Sequence, residues 1–192
     1  LNNVRIGYAL TGSFCTLDDA LLAMERLAET GAQIVPIVSF AVGSTDTRFG
    51  TAKSFRERIE AIAGRAPIAA IADAEPIGPQ KLLDVLVVSP CTGNTLAKLA
   101  NAVTDTPVTM AVKAHLRNKR PVVLAISTND GLSANAKNLG ILLNARYVYF
   151  VPFGQDNPAQ KSNSLTADYT LIPAAVEHAL AGEQMQPLLL RG

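Results

Sequence analysis

The sequence predicts a three-layer, doubly wound α/β fold of the Rossmann-like or flavodoxin-like kind: a mostly parallel sheet with helices on both faces. Three observations predict it. Short, near-continuous apolar runs recur along the chain, as strands buried on both faces require. Between them lie stretches with apolar residues at helical spacing. The turns that leave several of the strands are rich in glycine and hydroxyl side chains. Strand and helix patterns in alternation imply βαβ units with right-handed crossovers, and so parallel pairing.

Each element can be justified in order. The first strand, Val4 to Leu10, is closed by Thr11-Gly12-Ser13; Leu17, Ala20, Leu21, Met24 and Leu27 then mark one face of a helix that Gly31 ends. Ile34 to Val38 reads as a second buried strand that stops at Ser39-Phe40. A helix over about Ala52 to Ala63 carries Phe55, Ile59 and Ile62 on one face and Arg56, Glu57 and Glu60 on the other. Pro67 to Ile71 reads as a short strand, and the prolines of Glu75-Pro76-Ile77-Gly78-Pro79 exclude regular helix there. Asp84 to Ser89 is the clearest strand, followed by a helix marked by Leu96, Leu99, Ala100 and Val103. A further helix, about Pro107 to Asn118, leads into the β-branched run Pro121 to Ile126. Ser133 is the expected cap of the next helix, Tyr147 to Val151 the last core strand, Pro152 to Ala167 a flap-like loop, and Pro173 to Ala181 a closing helix.

Composition narrows the function classes. At 192 residues the chain fits one domain, expected to run over 1–192. Lys plus Arg number 17 and Asp plus Glu 16, so no charge excess recommends nucleic acid or an acidic membrane as a partner. With 48% hydrophobic residues but no apolar run near the ~20 that a spanning helix needs, and no signal-peptide pattern, a soluble cytoplasmic protein is expected. Cys15 and Cys91 are expected to be free thiols.

In a sheet of this winding the ligand crevice lies at the carboxyl ends of the strands where the order reverses, between the strand ending at Leu10 and the one ending at Ser89. The loops flanking it, Thr11–Cys15 and Pro90–Thr95, are rich in hydroxyls, glycine and amide, and both open helices, whose free N–H groups and positive dipole ends favour an anion. Ser39 adds a hydroxyl on the same rim. No Gly-x-x-x-x-Gly-Lys loop or full Gly-x-Gly-x-x-Gly is present, and Ser39-Phe40-Ala41 stands where a dinucleotide site places an acidic residue. One phosphate, as in a mononucleotide, fits better than two; the alternative is a plain strand-to-helix turn with a serine cap.

The stretch Ser89-Pro90-Cys91-Thr92-Gly93-Asn94-Thr95-Leu96-Ala97-Lys98-Leu99-Ala100-Asn101 resembles the flavin-binding signature of the flavoprotein family of homo-oligomeric flavin-containing cysteine decarboxylases, and Thr11-Gly12-Ser13 and Ser39 agree with it. The resemblance implies FMN, with Gly12, Ser13 and Ser39 at the phosphate and Thr92, Asn94 and Thr95 lining phosphate and flavin. It also implies a trimer or a multiple of trimers. Within that family the chain is similar, over nearly its whole length, to one component of a two-component synthase of spore-forming bacteria. The segments that carry this are Gly12–Thr16, Glu75–Pro79, Pro90–Asp105, Lys113–Asn118, Ser127–Leu132 and Phe153–Asp156. It implies a separate partner chain that binds NAD(P), and a small cyclic dicarboxylate substrate from the lysine pathway.

The chain also departs from the decarboxylases. Glu75-Pro76 stands where their active-site histidine would lie, and Ser127-Thr128-Asn129 keeps only the asparagine of their substrate-gripping segment. Asn129 and Glu75 are therefore the candidate catalytic residues, Asn129 as a hydrogen-bonding group at the strand ends and Glu75 as a general base. FMN-dependent decarboxylation of cysteine-containing substrates and a non-catalytic flavin-binding scaffold stand as alternatives. His115, among Lys113, Arg117, Lys119 and Arg120, reads as part of a solvated helix face, with attraction of a dicarboxylate as its alternative.

Overall fold

The structure is a computed structural model and describes residues 1–190. Strands β1 (Arg5–Leu10), β2 (Gln33–Val38), β3 (Val85–Cys91), β4 (Val122–Thr128) and β5 (Val148–Phe150) pair in parallel in the order β2-β1-β3-β4-β5. This is the order that leaves a crevice between the ends of β1 and β3. Ile6, Tyr8, Ala9, Leu10, the apolar residues of β3 and Val122–Ile126 are wholly buried, as a sheet covered on both faces requires.

Helix α1 (Leu17–Glu29) lays its predicted apolar stripe on the sheet, and Leu17, Ala20, Leu21, Met24 and Leu27 are all buried. The Tyr8 hydroxyl donates to the Ala20 carbonyl at 2.7 Å, fixing α1 over β1. A short helix α2 (Phe40–Ser44) leaves β2 directly. Helix α3 (Ala52–Ala63) is capped by Thr51 and ends at Gly64 in the left-handed region, φ 66°, where a side chain would be strained. One turn, α4 (Ile71–Ala74), runs into a 3-10 turn at Glu75–Ile77. Helices α5 (Gly93–Ala100), α6 (Pro107–Leu116), α7 (Ala136–Leu143) and α8 (Ile172–Leu180) follow β3, α5, β4 and the last strands in turn.

Four expectations are corrected. Pro67–Ile71 makes only an isolated bridge, Ile37 to Ile68, because Ile71 already starts a helical turn. Ser133 does not cap α7: the helix starts at Ala136, and the Ser133 hydroxyl donates back to the Asp130 carbonyl at 3.3 Å. The 152–167 segment is not simply a loop. It holds β6 (Phe153–Gly154) and β7 (Leu165–Ala167), and β7 runs antiparallel to the end of β4, Ser127 opposite Thr166. The projecting end of β4, beyond the reach of β5, would otherwise leave its backbone unpaired. Chain following α8 closes the far edge, with Phe153 N–H donating to Leu188 O at 3.0 Å and Leu190 N–H to Phe153 O at 2.9 Å.

The fourth correction concerns His115, which is not on a solvated face but fully buried. Its Nε2 lies 3.1 Å from the Pro121 carbonyl, which can only accept, so Nε2 carries the proton; Nδ1 has no hydrogen-bond partner among the described residues. Burial pushes its pKa down to about 4, against the hydrogen bond to Pro121, with Arg120 lowering it and Asp84 raising it by smaller amounts.

Candidate phosphate and flavin site

Thr11, the first residue past β1, is 1% exposed and ties the two crevice loops together. Its hydroxyl donates to the Pro90 carbonyl at 2.6 Å and accepts from the Thr92 N–H at 3.1 Å. The Ser39 N–H donates to the Leu10 carbonyl at 3.0 Å, drawing the end of β2 to the same rim. These bonds explain why three loops distant in sequence converge.

What converges is a set of helix starts. Thr92 is the N-cap of α5, its hydroxyl accepting from Thr95 N–H at 3.2 Å and lying 3.0 Å from the Thr95 hydroxyl. Ser39 caps α2 through Val42 N–H at 3.4 Å. Thr106 and Thr109 form a reciprocal capping box at the start of α6. The first N–H groups of a helix have no intrahelical acceptor and sit at its positive end. The cavity of about 440 Å³ onto which they open is lined by Thr11, Gly12, Ser39, Phe40, Ala41, Thr92, Asn94, Thr95, Lys98 and Thr106. Lys98 is the one charged side chain in that lining, and its ammonium is held 2.9 Å from both carboxylate oxygens of Asp105.

The cradle is narrow where it should be. A Cβ on Gly12 would come 3.1 Å from the Ala41 Cβ across the crevice. Gly93 is more constrained: a Cβ there would overlap the Thr128 hydroxyl and lie 2.7 Å from Asn135 Nδ2 and 2.8 Å from Asp130 Oδ1. Those three groups form a polar buttress behind α5. Asp130 accepts from Thr128 and, at 2.9 Å through each oxygen, from Asn135; Asn138 donates to Asn135 at 2.8 Å, and Asn101 to Asn138 at 3.3 Å. The bonds from Thr128 and Asn135 hold the Asp130 carboxyl below the usual carboxylate range.

Five of the six predicted cradle residues, Gly12, Ser39, Thr92, Asn94 and Thr95, line this cavity. The sixth, Ser13, turns away: its hydroxyl crosses the end of β3 to reach Ser127 at 2.9 Å. Asn129 stands exposed between Thr128 and Asp130, next to the crevice but outside its lining. Glu75 is not brought to the site. It is exposed on the 3-10 turn that leads to Gly78, and Gly78 packs against Ala114 near the far end of α6, where a Cβ would lie 2.8 Å from the Ala114 carbonyl. Lys98, Phe40 and Thr106 were missed by sequence reasoning. Thr106-Pro107 followed by Thr109 is a legible capping signal, but nothing in the sequence says that α6 starts at the same rim as α5.

Among the described residues no cluster of metal-ligating side chains is present, and no helix is long and apolar enough to cross a membrane. Both cysteines are free; Cys91 is buried, with its thiol pushed up to about 12 by burial, and Cys15 is exposed.

The cavity is a polar crevice built on helix starts at a switch point, and the family model described as Flavoprotein matches residues 1–163, which contain all of it. The chain belongs to the flavoprotein family. Over 190 residues, 99% of this flavoprotein and 95% of its relative, it is 48% identical to the B subunit of dipicolinate synthase from Bacillus subtilis (strain 168). Its fold superposes on the crystal structure of the dipicolinate synthase B subunit from Bacillus halodurans with a TM-score of 0.91 at 45% identity, covering 100% and 99% of the two chains. It also shares its fold with the FMN-dependent cysteine decarboxylase SpaF, TM-score 0.67 at 24% identity, with 93% and 95% of the chains covered. DmrB of Burkholderia xenovorans in complex with FMN has the same fold, TM-score 0.68 at 18% identity over 93% and 96%.

Proposed function

We propose that this flavoprotein acts as the B-type subunit of dipicolinate synthase. With a separate A-type subunit, which binds NAD(P), it forms pyridine-2,6-dicarboxylate from a lysine-pathway, dihydrodipicolinate-type intermediate in the cytoplasm of a sporulating cell. The observation that carries this is the 48% identity that runs over 99% of the chain. Turning a dihydropyridine dicarboxylate into the aromatic acid removes a hydride and a proton, so a hydride acceptor is required. Ser39, in place of an acidic residue after β2, favours an NAD(P) site on the partner rather than on this chain.

The cradle suits FMN as a resident group. Gly12 admits a phosphate close to backbone, and the N-termini of α2 and α5 supply N–H donors to it. The Ser39, Thr92 and Thr95 hydroxyls, the Asn94 amide and the Lys98 ammonium complete the polar lining. Bound FMN supplies a two-electron acceptor or donor at the crevice. Asn129, free at the end of β4, presents an amide to a carboxylate of the substrate or to the flavin. A homotrimer or a multiple of trimers is the assembly the family suggests.

Reconstitution tests the reading. This chain is assayed alone and with its NAD(P)-binding partner, with and without FMN and NAD(P), for formation of dipicolinate. Activity is expected only from the pair, and Asn129→Ala should lower the rate of the pair about ten-fold while leaving its circular dichroism unchanged. Full activity of the isolated chain with NAD(P), or a wild-type rate for the Asn129→Ala pair, would refute the corresponding part. Failure of the purified protein to take up FMN would remove the cofactor assignment.

A further inference from the structure

We propose that Lys98 and Asp105 form an exchange pair: Lys98 is the residue by which the crevice selects a phosphorylated ligand, and Asp105 holds the Lys98 ammonium until a phosphate group takes it. The inference deepens the reading above and rests on it for FMN as the ligand.

Helix α5 places Lys98 at the crevice. It lies one turn on from Asn94, so the two side chains share a helix face, and both line the cavity. The Lys98 ammonium reaches Asp105, the residue before the Thr106 cap of α6; Thr106 lines the cavity and Asp105 does not. Both Asp105 carboxylate oxygens lie 2.9 Å from Nζ. An ammonium carries three N–H donors, so one remains without a partner among the described residues. The start of α6 does not depend on this pair, because the capping box between Thr106 and Thr109 already fixes it.

The two partners differ in their access to water. The Lys98 side chain is 23% exposed, the most enclosed cation of any ion pair among the described residues, whereas Asp105 is 55% exposed. The positive charge therefore sits at the crevice wall and its counter-ion on the solvent side. A carboxylate that stays more than half in water holds an ammonium weakly, since water and salt screen the attraction.

A phosphate monoester is the stronger acceptor. It carries a charge of about −1.5 to −2 near pH 7 and three acceptor oxygens, against a single charge on Asp105. In the crevice it also meets the free N–H groups at the start of α5. Moving the ammonium from Asp105 to such a group needs only rotation about the flexible four-carbon stem of Lys98, and the Asp105 carboxylate turns to the water that already reaches it. A ligand without a phosphate gains nothing from the exchange, because Asp105 then keeps the ammonium and the lining offers little net charge. Lys98 is in this sense a specificity-determining residue, and Asp105 sets how much of its charge the ligand can use.

FMN binding, followed by quenching of flavin fluorescence, tests the exchange in wild type, Lys98→Met, Asp105→Asn and the double variant, at ionic strengths of about 0.05 M and 0.5 M. Each protein is also melted without ligand. All three variants should melt within about 4 °C of wild type, because a pair this exposed contributes little to stability, so lost affinity is not lost fold. Lys98→Met should bind FMN about ten-fold more weakly at the lower salt. Asp105→Asn should bind it about three-fold or more tightly, the opposite of what loss of a structural tie between α5 and α6 produces. In the Lys98→Met background the same change at Asp105 should alter the affinity by less than about two-fold, since Asp105 acts through the ammonium. These differences should shrink at the higher salt. Unchanged or weaker binding by Asp105→Asn overturns the proposal, as does unchanged binding by Lys98→Met. An equal gain from Asp105→Asn in both backgrounds also overturns it, in favour of plain repulsion between Asp105 and the phosphate. Failure of the wild type to take up FMN overturns the cofactor reading instead, and the proposal with it.

Discussion

Stability should fall between pH 7 and pH 5 because of His115 alone, and the size of the effect follows from its surroundings. The imidazole is fully buried, its Nε2–H donates to Pro121, and its pKa is pushed down to about 4. In the unfolded chain the same group titrates near ~6.5. A group with a folded pKa below its unfolded value binds more protons when unfolded. Its contribution is therefore complete above the unfolded pKa and disappears as the pH falls toward the folded one. The shift amounts to about 3 kcal/mol in full, of which about 2 kcal/mol is already gone at pH ~5. The carboxylates with lowered pKa, Asp84, Asp130 and Asp156, lose their contributions only as the pH falls below ~4, so they do not act in this window. The assay is urea unfolding of wild type and His115→Leu at several pH values from 7.5 to 5. Leucine is close in volume, and the Pro121 carbonyl keeps the Leu86 N–H at 3.1 Å. At pH 7.5 the two proteins should differ by no more than about 1–2 kcal/mol, because the loss of one hydrogen bond is offset by removal of the unpaired Nδ1. The difference should then shift by about 2 kcal/mol in favour of the variant on going to pH 5. A difference that stays constant across the range would refute the argument.

Two further perturbations probe the cradle. Gly93→Ala puts a methyl into the Thr128–Asp130–Asn135 buttress and should cost about 1–3 kcal/mol in urea unfolding, with flavin uptake lost as α5 is displaced. Thr11→Val keeps the shape but removes the hydroxyl that joins the Pro90 carbonyl to the Thr92 N–H. It should destabilise by about 1–3 kcal/mol and weaken FMN binding in a fluorescence titration, and an unchanged affinity would mean that the two loops hold their positions without it.

The sequence by itself determined the five parallel strands, the winding and most of the cradle. Near-continuous apolar runs such as Val85–Val88 can be satisfied only by burial on both faces. Thr11-Gly12, Ser39 and Thr92–Thr95 directly follow strands, where parallel winding sends every such turn to the same rim. Those inferences rest on local pattern and on a topology rule, and both are legible in one dimension. What the tertiary structure decided lies in contacts between distant residues. Ser13 turns to Ser127, 114 positions away, across the end of β4, which pairs with β7, a three-residue strand too short to be read in advance. His115 is interior although charged residues surround it in sequence, because the Pro121 carbonyl offers it a buried acceptor. Glu75 follows the apolar packing of its turn onto α6 and so ends away from the crevice, a placement set by Gly78 against Ala114 and invisible in the residue type of a lone carboxylate.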